Sequence, residues 1–287
     1  MPTQLPTSTA FEVHRGRLFG LAYRMLGSRA EAEDVVQDAY VRWHQTDQAS
    51  IRNPEAWLVT TTTRLAIDRL RALKTEREAY KGPWLPEPLM SETPAPDRHV
   101  ELASDLSVAF MVLLERLAPE ERAAFLLHDI FDVSYEDIAR ILDKSEAACR
   151  QTVSRARQRV RRDERRFDVP DEAKVGLLQK FVTAVESHDE RALLALFAPD
   201  AEWIADGGGR VPAAGRPITG AAQIVKLVFG LMKRAWATVS FEPTLINGEP
   251  GLLVRVGGTL TSVMAIDTDG ERLHAVYAVV NPEKLPT

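Results

Sequence analysis

The chain contains 287 residues, of which 45% are hydrophobic and 27% charged, and its formal net charge is −5. This composition excludes a wholly disordered, collagen-like or coiled-coil chain, and the length predicts about two domains. No apolar run reaches the roughly 18 residues that a membrane span needs, and the polar N-terminus has no signal-peptide core. The single cysteine, Cys149, excludes an intramolecular disulfide and a cysteine-based metal cluster. We therefore expect a cytoplasmic protein, and the sequence indicates no cofactor.

The charge is distributed unevenly along the chain. From Arg140 to Arg166 there are ten basic residues against four acidic ones, and residues 64–81 hold six against three. Residues 28–38 instead hold one basic residue and four acidic ones. Two basic patches and one acidic patch inside a mildly acidic chain indicate partners of more than one kind.

The first eighty residues have the pattern of helices. Ser28 followed by Glu31 is a capping box for a helix that runs to about Trp43, and Pro54 opens a long helix that ends near Glu78. On one side of the earlier helix, Asp34, Gln37 and Asp38 form an acidic patch that suits a basic protein partner or is a solvated face.

The long helix carries basic side chains that can contact phosphates. They are Arg64, Arg69, Arg71 and Lys74. Trp57 could stack on an unpaired base, or it could belong to the core, as a tryptophan beside Leu58 at helical spacing often does.

A linker and a helix-turn-helix follow. Residues 82–96 hold five of the 17 prolines, but Trp84-Leu85-Pro86-Glu87-Pro88 is too apolar for a solvated spacer and is predicted to dock on some other surface. Residues 134–160 fit two helices joined by a tight turn, with Cys149, Val153, Ala156 and Val160 as the apolar stripe of the second. The side chains off that stripe could read the DNA major groove or form a solvated basic face. They are Arg150, Gln151, Ser154, Arg155 and Arg157.

The last third of the chain is predicted to be an α+β unit with a mostly antiparallel sheet. Helices are expected over 172–187, 190–197 and 221–234, the last capped by Thr219, and Asn247-Gly248 and Asp269-Gly270 are hairpin signals. The run Asp206-Gly207-Gly208-Gly209-Arg210 allows another segment to approach its backbone closely. A flexible turn and a weak phosphate cradle are the alternatives for this run.

The α+β unit could also hold a small-molecule site. Asp206, His188 and His274 are candidates for an acid–base pair, but no spacing fixes them into one constellation, so catalysis is the less favoured interpretation. A ligand pocket lined by Trp203, Trp236 and Tyr277 is the alternative hypothesis.

Three ordered segments resemble extracytoplasmic-function (ECF) RNA polymerase sigma factors. They are residues 30–43, residues 54–58 with 65–71, and residues 117–127 with the helix-turn-helix. The resemblance implies that Asp34, Gln37 and Asp38 bind core RNA polymerase. It implies that the long helix, including Asp68, contacts the −10 element, and that the helix-turn-helix reads the −35 element.

The linker, the glycine run and the terminal Asn281-Pro282-Glu283-Lys284-Leu285 resemble a subgroup of that family with a fused SnoaL-like domain. The resemblance implies two all-α sigma domains, over 11–80 and 100–167, a linker over 81–99, and a cone-shaped α+β domain of the SnoaL/NTF2-like kind over 171–287. It also implies regulation in cis through these three segments, with core RNA polymerase and promoter DNA as partners and no separate anti-sigma factor. A metabolite-responsive DNA-binding regulator and a SnoaL-like cyclase or isomerase are the alternative functions.

Overall fold

The computed structural model describes residues 7–90, 106–163, 169–235 and 238–286. It divides into two compact units. The first holds the described residues up to Glu76 and from Met111 to Asp163, and the second holds 77–90, 107–110 and those from Val169 onward. Within these described ranges, no helix is both long and apolar enough to cross a membrane.

The first unit begins with three helices, α1 (Thr7–Leu26), α2 (Arg29–Gln45) and α3 (Pro54–Glu78), with a short 3-10 turn at Gln48–Ser50. Gly27 ends α1 at φ 66°, and the Ser28 hydroxyl accepts a hydrogen bond from the Glu31 amide at 3.5 Å. The Glu31 carboxylate binds Arg69 of α3, so one half of the expected capping box is diverted into a contact between helices.

Four further helices follow along the chain, α4 (Val108–Leu114), α5 (Pro119–Asp129), α6 (Tyr135–Leu142) and α7 (Glu146–Asp163). The last two form the expected helix-turn-helix. Ser134 caps α6 through the Asp137 amide, and Asp143 makes the turn in the left-handed conformation at φ 54°. The predicted stripe of α7 is confirmed, since its four side chains are all buried, and burial raises the pKa of the Cys149 thiol.

The second unit is the predicted α+β domain. Its helices are α8 (Asp171–Glu186), α9 (Glu190–Leu196) and α10 (Ala221–Ala235), and its strands are β1 (Phe197–Asp206), β2 (Ile218–Thr219), β3 (Val239–Ile246), β4 (Glu249–Val256), β5 (Thr259–Thr268) and β6 (Leu273–Val279). The six strands form one sheet in the order β2-β1-β6-β5-β4-β3. Neighbouring strands are antiparallel except β1 and β6, which are parallel. Both hairpin signals lie at strand-to-strand turns, as expected.

The helices pack on one face of this sheet and fill it with apolar side chains. Trp203 is 6% exposed in this core, opposite Val276 in the β1–β6 ladder. Tyr277, the next residue on β6, pairs with Ile204 and therefore lies on the other face. The predicted ligand pocket is therefore wrong, because Trp203 and Tyr277 lie on opposite faces of the sheet and cannot line one cavity. Trp236 lies outside the described residues.

The expected cap of α10 is also wrong. Thr219 belongs to strand β2 and pairs with Glu202, which keeps it extended. Gly220 makes the turn instead, at φ 99°, and its carbonyl accepts hydrogen bonds from the amides of Gln223 and Ile224 at 3.0 and 3.1 Å. A left-handed backbone at this position favours glycine over threonine.

Candidate functional site

The acidic patch on α2 is open to solvent. Asp34, Gln37 and Asp38 are all exposed, while the apolar side of the same helix, including Val35 and Val36, is buried. The helix is therefore anchored by one side and presents carboxylates on the other.

The basic residues of α3 have different surroundings. Arg69 donates to Glu31 at 2.7 Å, and this hydrogen bond raises the pKa of the Arg69 guanidinium. Arg71 pairs with Asp68 at 3.3 Å, and both side chains are more than half exposed. Lys74 is exposed as well. These side chains line the solvent side of α3.

Arg64 and Trp57 contact residues outside α3 within the first unit. Arg64 reaches the helix-turn-helix, with Nε 2.9 Å from the carbonyl of Ile141 and Nη2 2.9 Å from that of Arg140. Trp57 is half-buried against Trp43, with the ring centroids 5.5 Å apart. Trp57 thus belongs partly to the core, which was the alternative interpretation, and keeps part of its ring at the surface.

The side of α7 away from its apolar stripe is exposed, as the spacing predicts. Arg150, Gln151, Ser154 and Arg155 all lie at the surface. Arg150 forms an ion pair with Glu146, and its guanidinium lies 5.0 Å from the centre of the Tyr135 ring. A helix anchored by its apolar stripe and presenting long donors outward has the form that enters a major groove.

Arg157 differs from its neighbours on α7. Its guanidinium donates to the Asp129 carboxylate through two nitrogens, Nε (2.7 Å from Oδ2) and Nη2, and this hydrogen bonding raises the pKa of Arg157. The pair joins α7 to the end of α5. Arg157 therefore helps to fix α7 against α5, and a DNA contact by Arg157 would have to share or replace Asp129.

In the second unit, the buried carboxylate of Asp206 collects four donors from separate segments. It is 0% exposed, at the end of β1. Oδ1 accepts from the Tyr80 hydroxyl at 2.6 Å and the Gly208 amide at 3.0 Å. Oδ2 accepts from the Leu85 amide at 2.8 Å and the Lys284 ammonium at 2.7 Å. We call this arrangement the Asp206 hub: Tyr80, Leu85, Asp206, Gly208 and Lys284.

The linker residues around the hub are packed rather than solvated. Leu85 is fully buried, Pro86 and Pro88 are buried, and Glu87 is half-buried. Arg77 and Lys284 each lie 4.1 Å from the centre of the Trp84 ring, and Lys284 also donates to the Leu85 carbonyl at 2.6 Å. A short apolar stretch and one lysine therefore fix the linker to the end of the chain.

The glycine run gives the backbone access that its sequence suggested. A Cβ atom at Gly207 would lie 2.7 Å from the Val211 carbonyl, and one at Gly208 would collide with the side-chain amide of Asn281. Gly209, at φ 71°, approaches the side chain of Lys81. The close approach excludes side chains at the first two positions, which distinguishes this loop from a merely flexible turn.

The terminal segment closes the hub. The amides of Val280 and Asn281 donate to the Asp206 carbonyl at 2.9 and 2.8 Å, and the Asn281 side chain donates to the Tyr80 hydroxyl at 3.0 Å. The ion pair between Arg210 and Glu283 is exposed, as is Pro282, while Leu285 is half-buried. The three segments singled out in the sequence are thus in contact.

Sequence reasoning missed Tyr80, Arg77 and Lys81 in this site. Burial, and then the hydrogen bond to Asp206, raise the pKa of the Tyr80 phenol, which stays protonated as a donor. A second missed contact joins Leu89 to Asn247, with each backbone amide bonded to the other residue at 2.8 Å. The usable signal for Tyr80 was its place between a basic helix and the apolar linker.

The candidate acid–base residues are not brought together. In the β1–β6 ladder, Asp206 pairs with Val279, five residues from His274, which corresponds to about 16 Å along the strand. His274 binds Asp269 at 2.8 Å. His188 lies in the turn between α8 and α9, where its ring stacks on Phe229 of α10. The described residues also contain no cluster of three or more side chains suited to a metal ion.

Comparisons with known proteins agree with this geometry. A model described as "Sigma-70 region 2" matches residues 10–76, and one described as "Sigma-70, region 4" matches residues 107–160. The ECF RNA polymerase sigma factor SigJ of Mycobacterium tuberculosis is 36% identical over 286 residues, which cover 96% of this chain and 91% of that one. The probable ECF RNA polymerase sigma factor SigI of that species is 27% identical over 283 residues, covering 98% and 95%.

A solved structure extends the likeness to both units. The crystal structure of Mycobacterium tuberculosis SigJ superposes with a TM-score of 0.79 at 34% identity, covering 96% of this chain and 97% of that one. Two sigma regions in the right order, a full-length relative and a full-length structural match leave one assignment. This chain belongs to the family of extracytoplasmic-function RNA polymerase sigma factors.

Proposed function

We propose that this sigma factor directs core RNA polymerase to its promoters and is regulated in cis by its own C-terminal unit. The observation that carries the regulatory part is the Asp206 hub, where a buried carboxylate binds the linker that directly follows the predicted −10-reading helix. The function is one of binding and conformational exchange. The position of Asp206 within this hub also argues against its use as a general base.

The acidic patch of α2 is the proposed polymerase contact. Asp34, Gln37 and Asp38 are exposed on a helix whose other side is buried, so a partner can reach them without unfolding the domain. In a pull-down with core polymerase, Asp38→Arg should weaken capture. Glu33→Arg is the matched control, because Glu33 is exposed on the same helix and pairs with Arg29 rather than belonging to the patch. Equal capture of both variants would contradict this assignment.

Promoter DNA is the second proposed partner. On α7, Arg150, Gln151, Ser154 and Arg155 form the surface proposed to read the −35 element, because arginine pairs with guanine and glutamine with adenine in the major groove. On α3, the exposed side chains of Asp68, Arg69, Arg71 and Lys74, with Arg64 and Trp57, are the surface proposed to contact the −10 element. Footprinting with the holoenzyme should show protection lost at the −35 element in α7 variants, and at the −10 element, further downstream, in α3 variants.

The Asp206 hub is proposed to set how often the sigma domains are available. Lys284 contacts Asp206, the Leu85 carbonyl and the Trp84 ring at once, so its charge is central to the linker's position. Lys284→Met should change run-off transcription with core polymerase about fivefold or more, as typical couplings between two sites do, and the sign tells whether the hub restrains or supports initiation. Arg255→Met, which removes an ion pair between β4 and β3 outside the hub and its three segments, is the control. Equal transcription from both variants and the unmodified chain would overturn the proposal.

We further propose that no separate anti-sigma protein is needed to hold the linker. Every contact of the hub comes from this chain, and the Leu85 amide is buried against Asp206. In the purified protein alone, hydrogen exchange at Leu85 and Leu89 should therefore be slow compared with exposed linker amides. Fast exchange at both positions, slowed only by an added protein, would contradict this part of the proposal.

A further inference from the structure

Two predicted DNA-contacting arginines of α3 bind groups of the helix-turn-helix or of α5, the helix before it. Arg64 donates to the carbonyls of Arg140 and Ile141, both at 2.9 Å. These carbonyls lie in the last turn of α6, where a helix leaves its carbonyl groups without intrahelical partners. Arg64 thus caps the first helix of the motif from another domain.

Glu120 makes a second contact of this kind. Its carboxylate lies at the first turn of α5 and accepts from Nη2 of Arg71 at 2.5 Å. The same carboxylate forms an ion pair with Lys144, which lies in the turn of the helix-turn-helix. The hydrogen bond from Lys144, followed by that from Arg71, lowers the pKa of Glu120, so the group is ionised at neutral pH. An arginine and a lysine that converge on one anion are arranged as they would be around a DNA phosphate.

We propose that Glu120 is an internal substitute for a DNA phosphate, and that with the end of α6 it latches the two promoter-reading domains together when the protein is off DNA. The proposal rests on the DNA-binding roles proposed above. In the closed state, Arg64, Arg71 and Lys144 are held by the protein itself. Opening the latch releases all three for the promoter, and Lys144 becomes an additional phosphate contact.

The latch is suited to exchange because it is exposed. The side chains of Glu120 and Lys144 are 35% and 34% exposed, and that of Arg71 is 53% exposed. Exposed ion pairs contribute little stability, so a phosphate can compete for these cations. A partner shifts a closed–open equilibrium only by its differential affinity for the two states.

Deeper contacts join the same two domains. Nη1 of Arg122, a residue that is 1% exposed on α5, donates to the Met25 carbonyl at the end of α1 at 2.6 Å. Arg17 donates to the Phe131 carbonyl at 2.8 Å. Full separation must break these two bonds as well, so we expect core polymerase to be required for it, while the exposed latch sets the smaller openings that precede it.

The test uses Glu120→Gln in the full chain, since the amide keeps the shape and removes the charge. Without polymerase, its affinity for a promoter duplex should rise about fivefold, the factor that about 1 kcal/mol of lost ion pairing corresponds to. Glu136→Gln is the control, because Glu136 is an exposed acid on α6 whose pairing with Arg140 stays within that helix. The control affinity should stay within twofold, at the same ionic strength.

A distance measurement separates opening from simple loss of repulsion. Fluorescent labels at Val41 of α2 and Asp132 before α6, both exposed, should show lower energy transfer in Glu120→Gln than in the unmodified latch. A higher affinity without a longer distance would mean that Glu120 merely repels DNA, and would overturn the latch.

The latch and the proposed function fail in different ways. If Glu120→Gln changes neither affinity nor distance while Arg155→Ala still weakens promoter binding, the latch is wrong and the promoter-reading role stands. If Arg155→Ala and its neighbours on α7 leave promoter binding unchanged in the holoenzyme, the proposed function itself is wrong. With saturating core polymerase, the difference between Glu120→Gln and the unmodified protein should disappear.

Discussion

Two carboxylates, one in each unit, bind cations from distant segments, but they do so in opposite surroundings. Asp206 is completely buried, with Lys284, Tyr80 and two backbone amides as donors. Glu120 is about one third exposed, between Arg71 and Lys144. The first carboxylate has lost its water and depends on every donor, whereas the second can exchange protein cations for solvent.

The proposed regulation would therefore take two forms within one chain. Removing one partner of a buried pair leaves the other desolvated and uncompensated, so such a contact persists until a large rearrangement. An exposed pair opens at small cost and responds to competing ions and phosphates. We therefore expect the Asp206 hub to fix the linker's path, and the Glu120 latch to set the sensitivity to DNA.

The largest expected effect is that of Asp206→Ala. It leaves the Lys284 ammonium, the Tyr80 hydroxyl and the Leu85 amide without their acceptor. The loss should be about 3–5 kcal/mol in the stability of the second unit, as for other broken buried pairs. Calorimetry that resolves the two units, together with hydrogen exchange at Leu85, measures it. A variant with normal exchange at that amide would show that Asp206 does not hold the linker.

A contrast between a protein-bound and a solvent-facing charge recurs on α7. Arg155 is exposed, whereas Arg157 is bound to Asp129. Arg155→Ala should cost about 1–3 kcal/mol of binding at the −35 element if it pairs with a base. Arg157→Ala should instead lower thermal stability and weaken DNA binding only through α7's position. Titrations of both variants against promoter DNA, compared with their melting temperatures, test this division. If both variants lost the same affinity for DNA and kept the same melting temperature, this division of roles would be wrong.

A third carboxylate, Asp269, lies between the two extremes. Burial alone would raise its pKa, but hydrogen bonds from His274 and from the amides of Arg272 and Glu271 outweigh it and lower the pKa from 3.8 to about 2. Because the folded pKa is the lower one, the ionised group stabilises the fold at neutral pH and loses that effect as the pH falls from about 4 to about 2. The shift corresponds to about 2 kcal/mol.

Asp269→Asn should flatten this part of the acid-stability profile. Unfolding of the second unit is measured between about pH 2 and 5 in both proteins. Asp267→Asn, on the adjoining strand β5, serves as the comparison. If the profiles of Asp269→Asn and the unmodified protein were parallel over that range, the turn would not depend on the ionised carboxylate.

Much of this architecture follows from local sequence patterns. The stripe of Cys149, Val153, Ala156 and Val160 predicts α7, and the Asn247-Gly248 pair predicts its hairpin, because each depends on neighbours in sequence. The apolar linker predicts docking for the same reason. The Asp206 hub was suggested only as three separate segments, and Tyr80 was missed, since hydrogen bonds between residues 126 positions apart leave no local pattern.

The errors have the same physical origin. Trp203 and Tyr277 were grouped from the sequence alone. The register that places them on opposite faces of the sheet depends on the parallel pairing of β1 with β6, which are distant in sequence. Thr219 was a plausible cap until its pairing with Glu202 made it part of a strand. The sequence likewise identified the charges of Arg64, Arg71 and Arg157. It could not show which protein groups bind them, because those groups are distant in sequence.

The smallest expected effect on stability, that of Glu120→Gln, sharpens the comparison most. Its ion pairs are exposed, so the free energy of unfolding of the first unit should change by less than about 1 kcal/mol. Denaturant titration of this variant beside Asp206→Asn gives both values under one set of conditions. If Glu120→Gln destabilised its unit as much as Asp206→Asn does, the latch would be a structural bond like the hub, too costly for a promoter phosphate to replace. A small loss of stability with a clear gain in DNA affinity would instead show a contact built to be exchanged.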